Sequence, residues 1–293
     1  MLKETPMPYA TTKDNVKLYY EEAGSGSPVL FSHEYAADYR NWEPQMRYFA
    51  RRHRCITYSA RGYSPSDVPK DWKDYSYKHW VDDLVAVLDH LKIDKAHVVG
   101  LSMGAYTAAV LGFTYPNRAL SLTIAGAGTG SERALVEEFR KNSKQVAEDF
   151  LKKGTPEVVK AYGANPARIP FLVKDPRGFE AFNKMFAEHD ALGSSNTVRG
   201  FQAERPSIYD FEAELRKVTV PSLIVCGDED EPCLEPSFFL KQWMPTSGLV
   251  VLPKTGHVVN QEEPALFNEA VADFIARVEA GRWPVRDPRS YRK

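Results

Sequence analysis

The run Gly100-Leu-Ser-Met-Gly104 constrains this chain more tightly than any other feature. It is a G-x-S-x-G pentapeptide set between two stretches of opposite character. Ala96-His-Val-Val-Gly reads as a short buried strand, and Met103 to Tyr115 reads as a small-residue helix stopped by Pro116. A strand that passes into a helix through one serine must turn sharply. The flanking glycines suit that turn because they let neighbouring backbone approach where a Cβ would not fit. Ser102 is thereby expected at the carboxyl end of a strand with its hydroxyl presented outward.

The rest of the chain supplies a sheet to hold such a turn. Asn15 to Glu21 and Pro28-Val-Leu-Phe-Ser read as strands, Trp42 to Arg52 as a helix, and Cys55-Ile-Thr-Tyr as another strand. An amphipathic helix follows, with Trp80, Leu84, Leu88 and Leu91 at helical spacing. Ala119 to Ala125, Ser222 to Cys226 and Leu249 to Leu252 are further strands, and Phe267, Val271, Phe274 and Val278 stripe a closing helix. Strands alternating with helices predict an α/β fold: a mostly parallel sheet covered by helices on both faces.

The alternation lapses between Ser131 and Lys217, where the sequence is helical and loop-rich and broken by Pro156, Pro166, Pro170 and Pro176. Residues 131–217 therefore read as an inserted helical cap on a core built from 1–130 and 218–293. The basic, Pro-containing tail after Gly281 reads as a surface segment.

Composition narrows the partners. Of 293 residues 43% are hydrophobic and 26% charged, and the net charge is −1, so there is no electrostatic case for nucleic acid or an anionic membrane. A small-molecule substrate is the expected partner. Cys55, Cys226 and Cys233 are an odd number and form no secreted-type disulfide framework. The first residues, through Pro8, have no apolar core of a signal peptide, and no stretch approaches the roughly 20 apolar residues of a membrane span. A cytoplasmic location is expected.

A serine hydroxyl needs a base to remove its proton, and histidine is best matched to that task. The chain has seven histidines. His79 and His90 lie in the amphipathic helix, His53 in a basic run, His97 in a strand and His189 in the cap, while His33 opens the first loop. His257 differs, because Thr255-Gly-His follows a strand and precedes the last helix, where a loop delivers an imidazole to a sheet edge. A buried carboxylate must then hold the imidazole in the right tautomer. Gly227-Asp-Glu-Asp-Glu231 offers four carboxylates, and composition does not choose among them.

With these residues in chain order, the sequence resembles the α/β-hydrolase superfamily over nearly its whole length outside the cap. The family commonly places its acid at the fourth position of a G-x-x-D turn, which here is Asp230, with Asp228 as the fallback. Its GH-x(4)-E-x-P signature is present from Gly256 to Pro264. The resemblance also implies an oxyanion hole formed by the backbone N–H groups of Met103 and Tyr35. The loop after the first parallel strand usually begins His-Gly in the family, whereas here it reads Ser32-His-Glu-Tyr-Ala-Ala. Glu34 in place of glycine is expected to turn its charge away from the hole and bond a neighbouring loop. Ala37 to Gln45 is similar to a segment of enol-lactonases, and Arg61 in Ala60-Arg-Gly-Tyr-Ser is expected as a structural ion-pair partner.

These features predict cleavage of a small carboxylic ester or lactone through an acyl-enzyme, with Ser102, Asp230 and His257 as the triad. Within the resemblance, alternatives are C–C bond hydrolysis of a β-diketone or ring-fission product, a cofactor-free perhydrolase or haloperoxidase-like reaction, and a slow-turnover small-molecule receptor. No H-E-x-x-H, Cys-x-x-Cys, G-x-G-x-x-G or P-loop pattern occurs, so neither a metal nor a cofactor is expected.

Overall fold

The computed structural model describes residues 8–163 and 165–290. The first seven residues, part of the stretch read for a signal peptide, and residues 291–293 at the end of the basic tail lie outside the described residues. Among the described residues, β1 (Tyr9–Thr11), β2 (Lys17–Ala23), β3 (Pro28–Ser32), β4 (Arg54–Tyr58), β5 (Ala96–Leu101), β6 (Ala119–Ala125), β7 (Ser222–Gly227) and β8 (Ser247–Leu252) form one sheet. Their order is β1-β2-β4-β3-β5-β6-β7-β8. Only the β1/β2 and β2/β4 pairings are antiparallel, and the rest are parallel.

The chain steps outward from β3 to β4, then crosses back to lay β5 on the other side of β3. This reversal opens a crevice at the carboxyl ends of β3 and β5, the place where open α/β sheets bind ligands. Every residue of β5 and β7 is buried, as a strand with helices packed over both faces requires. Between β6 and β7 the described residues form helices, turns and loops but no strand, from Val136–Lys153 to Glu212–Leu215.

The expected strands all form, Pro28–Ser32 and Ala119–Ala125 with the expected bounds and the others with shifted ends. Strand β2 begins at Lys17 rather than Asn15 because Asn15 has φ 65° and closes a turn in which the Thr12 N–H donates to the Val16 carbonyl. The helix expected over Trp42 to Arg52 divides into a 3-10 turn, Tyr39–Trp42, and the α-helix Glu43–Phe49. Elements that escape the sequence reading include β1, the short helix Val259–Glu262 and the helix Glu231–Trp243, which carries Pro236 inside it. The tail is anchored through Trp283, whose indole N–H donates to the Thr246 carbonyl at 2.7 Å and whose ring packs edge-on against Phe274.

Candidate active site

Ser102 joins β5 to the helix Met103–Thr114 with φ 54° and ψ −109°, a combination that L-residues rarely adopt and that costs about 1–3 kcal/mol. Close packing maintains it. A Cβ on Gly100 would lie 2.1 Å from the Gly104 carbonyl oxygen, and one on Gly104 would lie 2.0 Å from the Ser32 carbonyl oxygen. Both glycines of the pentapeptide are therefore required by backbone contact. The Ser102 N–H donates to the Ala125 carbonyl at the end of β6 at 2.8 Å, which ties the turn to the neighbouring strand.

One residue beyond Ala125, Gly126 packs against the other two predicted groups, because a Cβ there would lie 3.5 Å from Asp230 Oδ2 and from the His257 ring. His257 Nδ1 and Asp230 Oδ2 are 2.8 Å apart and both residues are buried. Burial alone would lower the His257 pKa, but the Asp230 charge and hydrogen bond outweigh it and hold the pKa well above the ordinary value. Asp230 precedes the helix Glu231–Trp243, whose N-terminal dipole favours a carboxylate. Asp228, the fallback, is exposed, and its Oδ1 accepts from the Thr255 N–H at 3.1 Å. It braces the loop instead of reaching the imidazole.

The loop that carries His257 is held from two sides. Glu262, the acid of the GH-x(4)-E-x-P run, accepts the Gly256 N–H with both oxygens, at 3.1 and 2.9 Å. The His257 N–H donates to the Ala167 carbonyl at 2.8 Å, and Gly256 admits that carbonyl at a distance where a Cβ would clash. The segment between β6 and β7 thus contacts the loop that carries His257 directly.

Met103 is the first residue of its helix, so its N–H has no intrahelical acceptor. The Tyr35 N–H donates to no backbone carbonyl among the described residues. Its hydroxyl donates to the Ser194 carbonyl at 3.2 Å, linking the loop after β3 to the insertion. Ser102, Met103, Tyr35 and His257 all line one cavity of about 530 Å³. Asp230 stands behind His257 and does not line it.

Glu34 is 1% exposed and makes a two-pronged ion pair with Arg168 of the insertion, through Nη1 at 3.1 Å and through Nη2 to the other oxygen. Burial raises a carboxyl pKa, yet the Arg168 charge and hydrogen bonds hold Glu34 below the ordinary value. The neighbour that Glu34 bonds is thus the insertion, and the ion pair neutralises a charge that would oppose an oxyanion. Arg168 is itself seated over the Tyr162 and Phe182 rings. Next to Glu34, His33 accepts the Ala60 N–H at Nε2 and bonds the Glu34 carbonyl at Nδ1, while burial lowers its pKa to about 4, so it is a neutral brace. Arg61 is buried between Asp83 and Asp14 and is a structural ion-pair partner.

Of the aromatic and sulfur-bearing side chains in the insertion, Phe139 and Tyr162 line the cavity, whereas Phe182, Met185, Phe186 and His189 do not. Three residues at or beside the site carry no sequence signal. Cys233, a thiol that burial raises to about 12, lies 3.9 Å from His257 Nδ1 and donates to the Gly126 carbonyl. Arg168 pairs Glu34 across a sequence separation too large for any local pattern, and Arg205 lines the cavity. Asp230, Cys233 and His257 place ligand-type atoms within 4.8 Å of one another, but Nδ1 is engaged by Asp230 and the thiol by Gly126.

Known proteins share this arrangement of elements. The chain is 27% identical to 3-oxoadipate enol-lactonase 2 of Acinetobacter baylyi, over 91% of this chain and 96% of that protein. Its structure is similar to a thermophilic esterase from Thermogutta terrifontis, with a TM-score of 0.84, 24% identity, and coverage of 94% of this chain and 99% of that one. The enol-lactonase from Burkholderia xenovorans LB400 is similar at a TM-score of 0.80 and 22% identity, over 92% of this chain and 100% of that one. The model of the alpha/beta hydrolase fold family matches residues 27–264, and the chain belongs to that family.

Proposed function

We propose that this protein is a serine hydrolase that cleaves a small carboxylic ester or lactone through an acyl-enzyme. The observation that carries this reading is the strained Ser102, which opens into the same cavity as an imidazole whose far nitrogen is 2.8 Å from a buried carboxylate. In this mechanism Ser102 Oγ attacks the acyl carbonyl while His257 Nε2 takes its proton. Asp230 stabilises the imidazolium through Nδ1. The carbonyl oxygen becomes an oxyanion held by the N–H groups of Met103 and Tyr35. His257 returns the proton to the leaving alkoxide, and the acyl–oxygen bond breaks. Water then attacks the acyl-enzyme by the same route and restores Ser102.

In this reading residues 131–217 form a cap over a core of 1–130 and 218–293, and the cap excludes water and shapes the pocket. Its direct hold on His257 and Glu34 supports that role. The relatives named as enol-lactonase and esterase support the substrate class. Three free cysteines are consistent with the reducing cytoplasm, and among the described residues no helix is long and apolar enough to cross a membrane. The test is a hydrolysis screen over short esters, enol-lactones and β-diketones with the Ser102→Ala protein alongside. Ester or lactone turnover that disappears in Ser102→Ala supports the reading. Turnover that survives, or activity confined to β-diketones, overturns it.

A further inference from the structure

Among the described residues three arginines are buried, and two of them have carboxylate partners. Arg61 has Asp83 and Asp14, and Arg168 has Glu34. Arg205 is 8% exposed and forms an ion pair with no carboxylate among the described residues. A guanidinium stays charged at any ordinary pH, and a buried charge without a counter-ion is costly. Its position is nevertheless built. Nε donates to Gln202 Oε1 at 3.1 Å and Nη2 to the Thr129 carbonyl, while the cation sits 4.7 Å from the Tyr106 ring centroid and 5.9 Å from that of Phe139. Nη1 has no acceptor among the described residues.

These contacts fix the guanidinium beside the reaction centre. Tyr106 is one helical turn after Ser102, and its N–H donates to the Ser102 carbonyl at 2.9 Å. Thr129 lies in the loop after β6, and its hydroxyl is 3.3 Å from Cys233 Sγ, the thiol near His257. Arg205 and Ser102 line the same cavity. The other charged side chains on its wall have partners: Asp149 pairs with Lys153 at 2.9 Å, Glu157 with Lys160 at 2.6 Å, and His257 with Asp230. Among the described residues, Arg205 is thus the one cation on the cavity wall without a carboxylate partner.

We propose that Arg205 anchors a carboxylate of the substrate, so that the ester or lactone turned over at Ser102 carries a free carboxylate on the part that reaches Arg205. This rests on Ser102 being the nucleophile. A planar guanidinium with unused N–H donors matches a carboxylate in shape and charge, and a cavity of about 530 Å³ has room for a small acyl chain bearing one.

The test compares p-nitrophenyl monoesters of succinic and glutaric acid with the same esters in which the free acid is a primary amide. Wild-type protein is expected to favour the acids by about 10- to 100-fold in kcat/KM. That ratio should fall towards one in Arg205→Gln and be partly kept in Arg205→Lys, which retains the charge but not the fork. A purely structural arginine would lower both substrates together and leave the ratio unchanged. A wild-type ratio at or below one, or a ratio unaltered in Arg205→Gln, overturns the proposal, and the first of these outcomes does so even if the variants do not fold. A second arm uses the Ser102→Ala protein and calorimetry with succinate, glutarate and their half-amides. Tighter binding of the diacids that is lost in Ser102→Ala/Arg205→Gln supports the anchor, and equal binding of acid and half-amide overturns it. Failure of the nucleophile reading looks different: wild type cleaves none of the esters, or Ser102→Ala still does.

Discussion

The chemistry proposed here depends on how Asp230 sets the state of His257. Its carboxylate stabilises the imidazolium against the cost of burial and holds the His257 pKa above the ordinary value. Removing that charge makes the protonated ring less favourable, so Asp230→Asn is expected to move the acid limb of the kcat/KM profile to lower pH. It should also lower turnover by about 10⁴-fold, because the amide no longer enforces the productive tautomer. A pH–rate series on wild type and variant checks both, and a limb that stays in place would remove Asp230 from its role. Asp228 provides the internal comparison. It is exposed and its carboxylate accepts from the Thr255 N–H, so Asp228→Asn should leave the limb where it is.

Two elements, the turn after β5 and the loop after β3, are held by contacts of different kinds. Gly104 admits the Ser32 carbonyl where a Cβ would sit 2.0 Å away, so Gly104→Ala should cost about 3 kcal/mol in urea unfolding and spread β3 from β5. The loop after β3 is held by Glu34 and Arg168, both buried. Glu34→Gln strands the Arg168 charge and is expected to cost about 3–5 kcal/mol, whereas Glu34→Gln with Arg168→Met should recover much of that loss. Because the Glu34 pKa is lowered in the fold, the stability it contributes is present above the ordinary value of 4.5 and is lost as pH falls through the lowered one. These elements also show what the sequence carried. The strands β3, β5, β6 and β7 are short apolar runs that nothing but a covered sheet accommodates, and Ser102 and His257 stand in turns marked by glycine. The helix Glu231–Trp243 was hidden because Pro236 interrupts it, and β1 because three residues hold no periodicity. The choice of Asp230 over Asp228 depended on family resemblance, since four adjacent carboxylates differ only in where the loop aims them. The partner of Glu34 was illegible for a different reason: 134 residues separate it from Arg168, and nothing local to either encodes the pairing.

In the molecule as a whole, the sheet reversal at β3 makes a crevice, and residues between β6 and β7 line, with Ser102 and His257, a cavity of about 530 Å³. That volume sets a size limit. Long-chain fatty esters should turn over at least about 10-fold less efficiently than short ones, as read from kcat/KM across an acyl-length series. The insertion reaches the site through the Ala167 carbonyl on His257 and through Arg168 on Glu34, so loss of either contact should alter catalysis as well as stability. All of this presumes that the hydroxyl at the β5 turn forms a bond to the substrate. Rapid-quench mass spectrometry of the enzyme with an excess of a short p-nitrophenyl ester observes that bond. The expected result is a mass increase of one acyl group on the peptide containing Ser102, appearing within the first turnover and absent from Ser102→Ala. An acyl group on another residue, or steady hydrolysis by Ser102→Ala without any adduct, would contradict it.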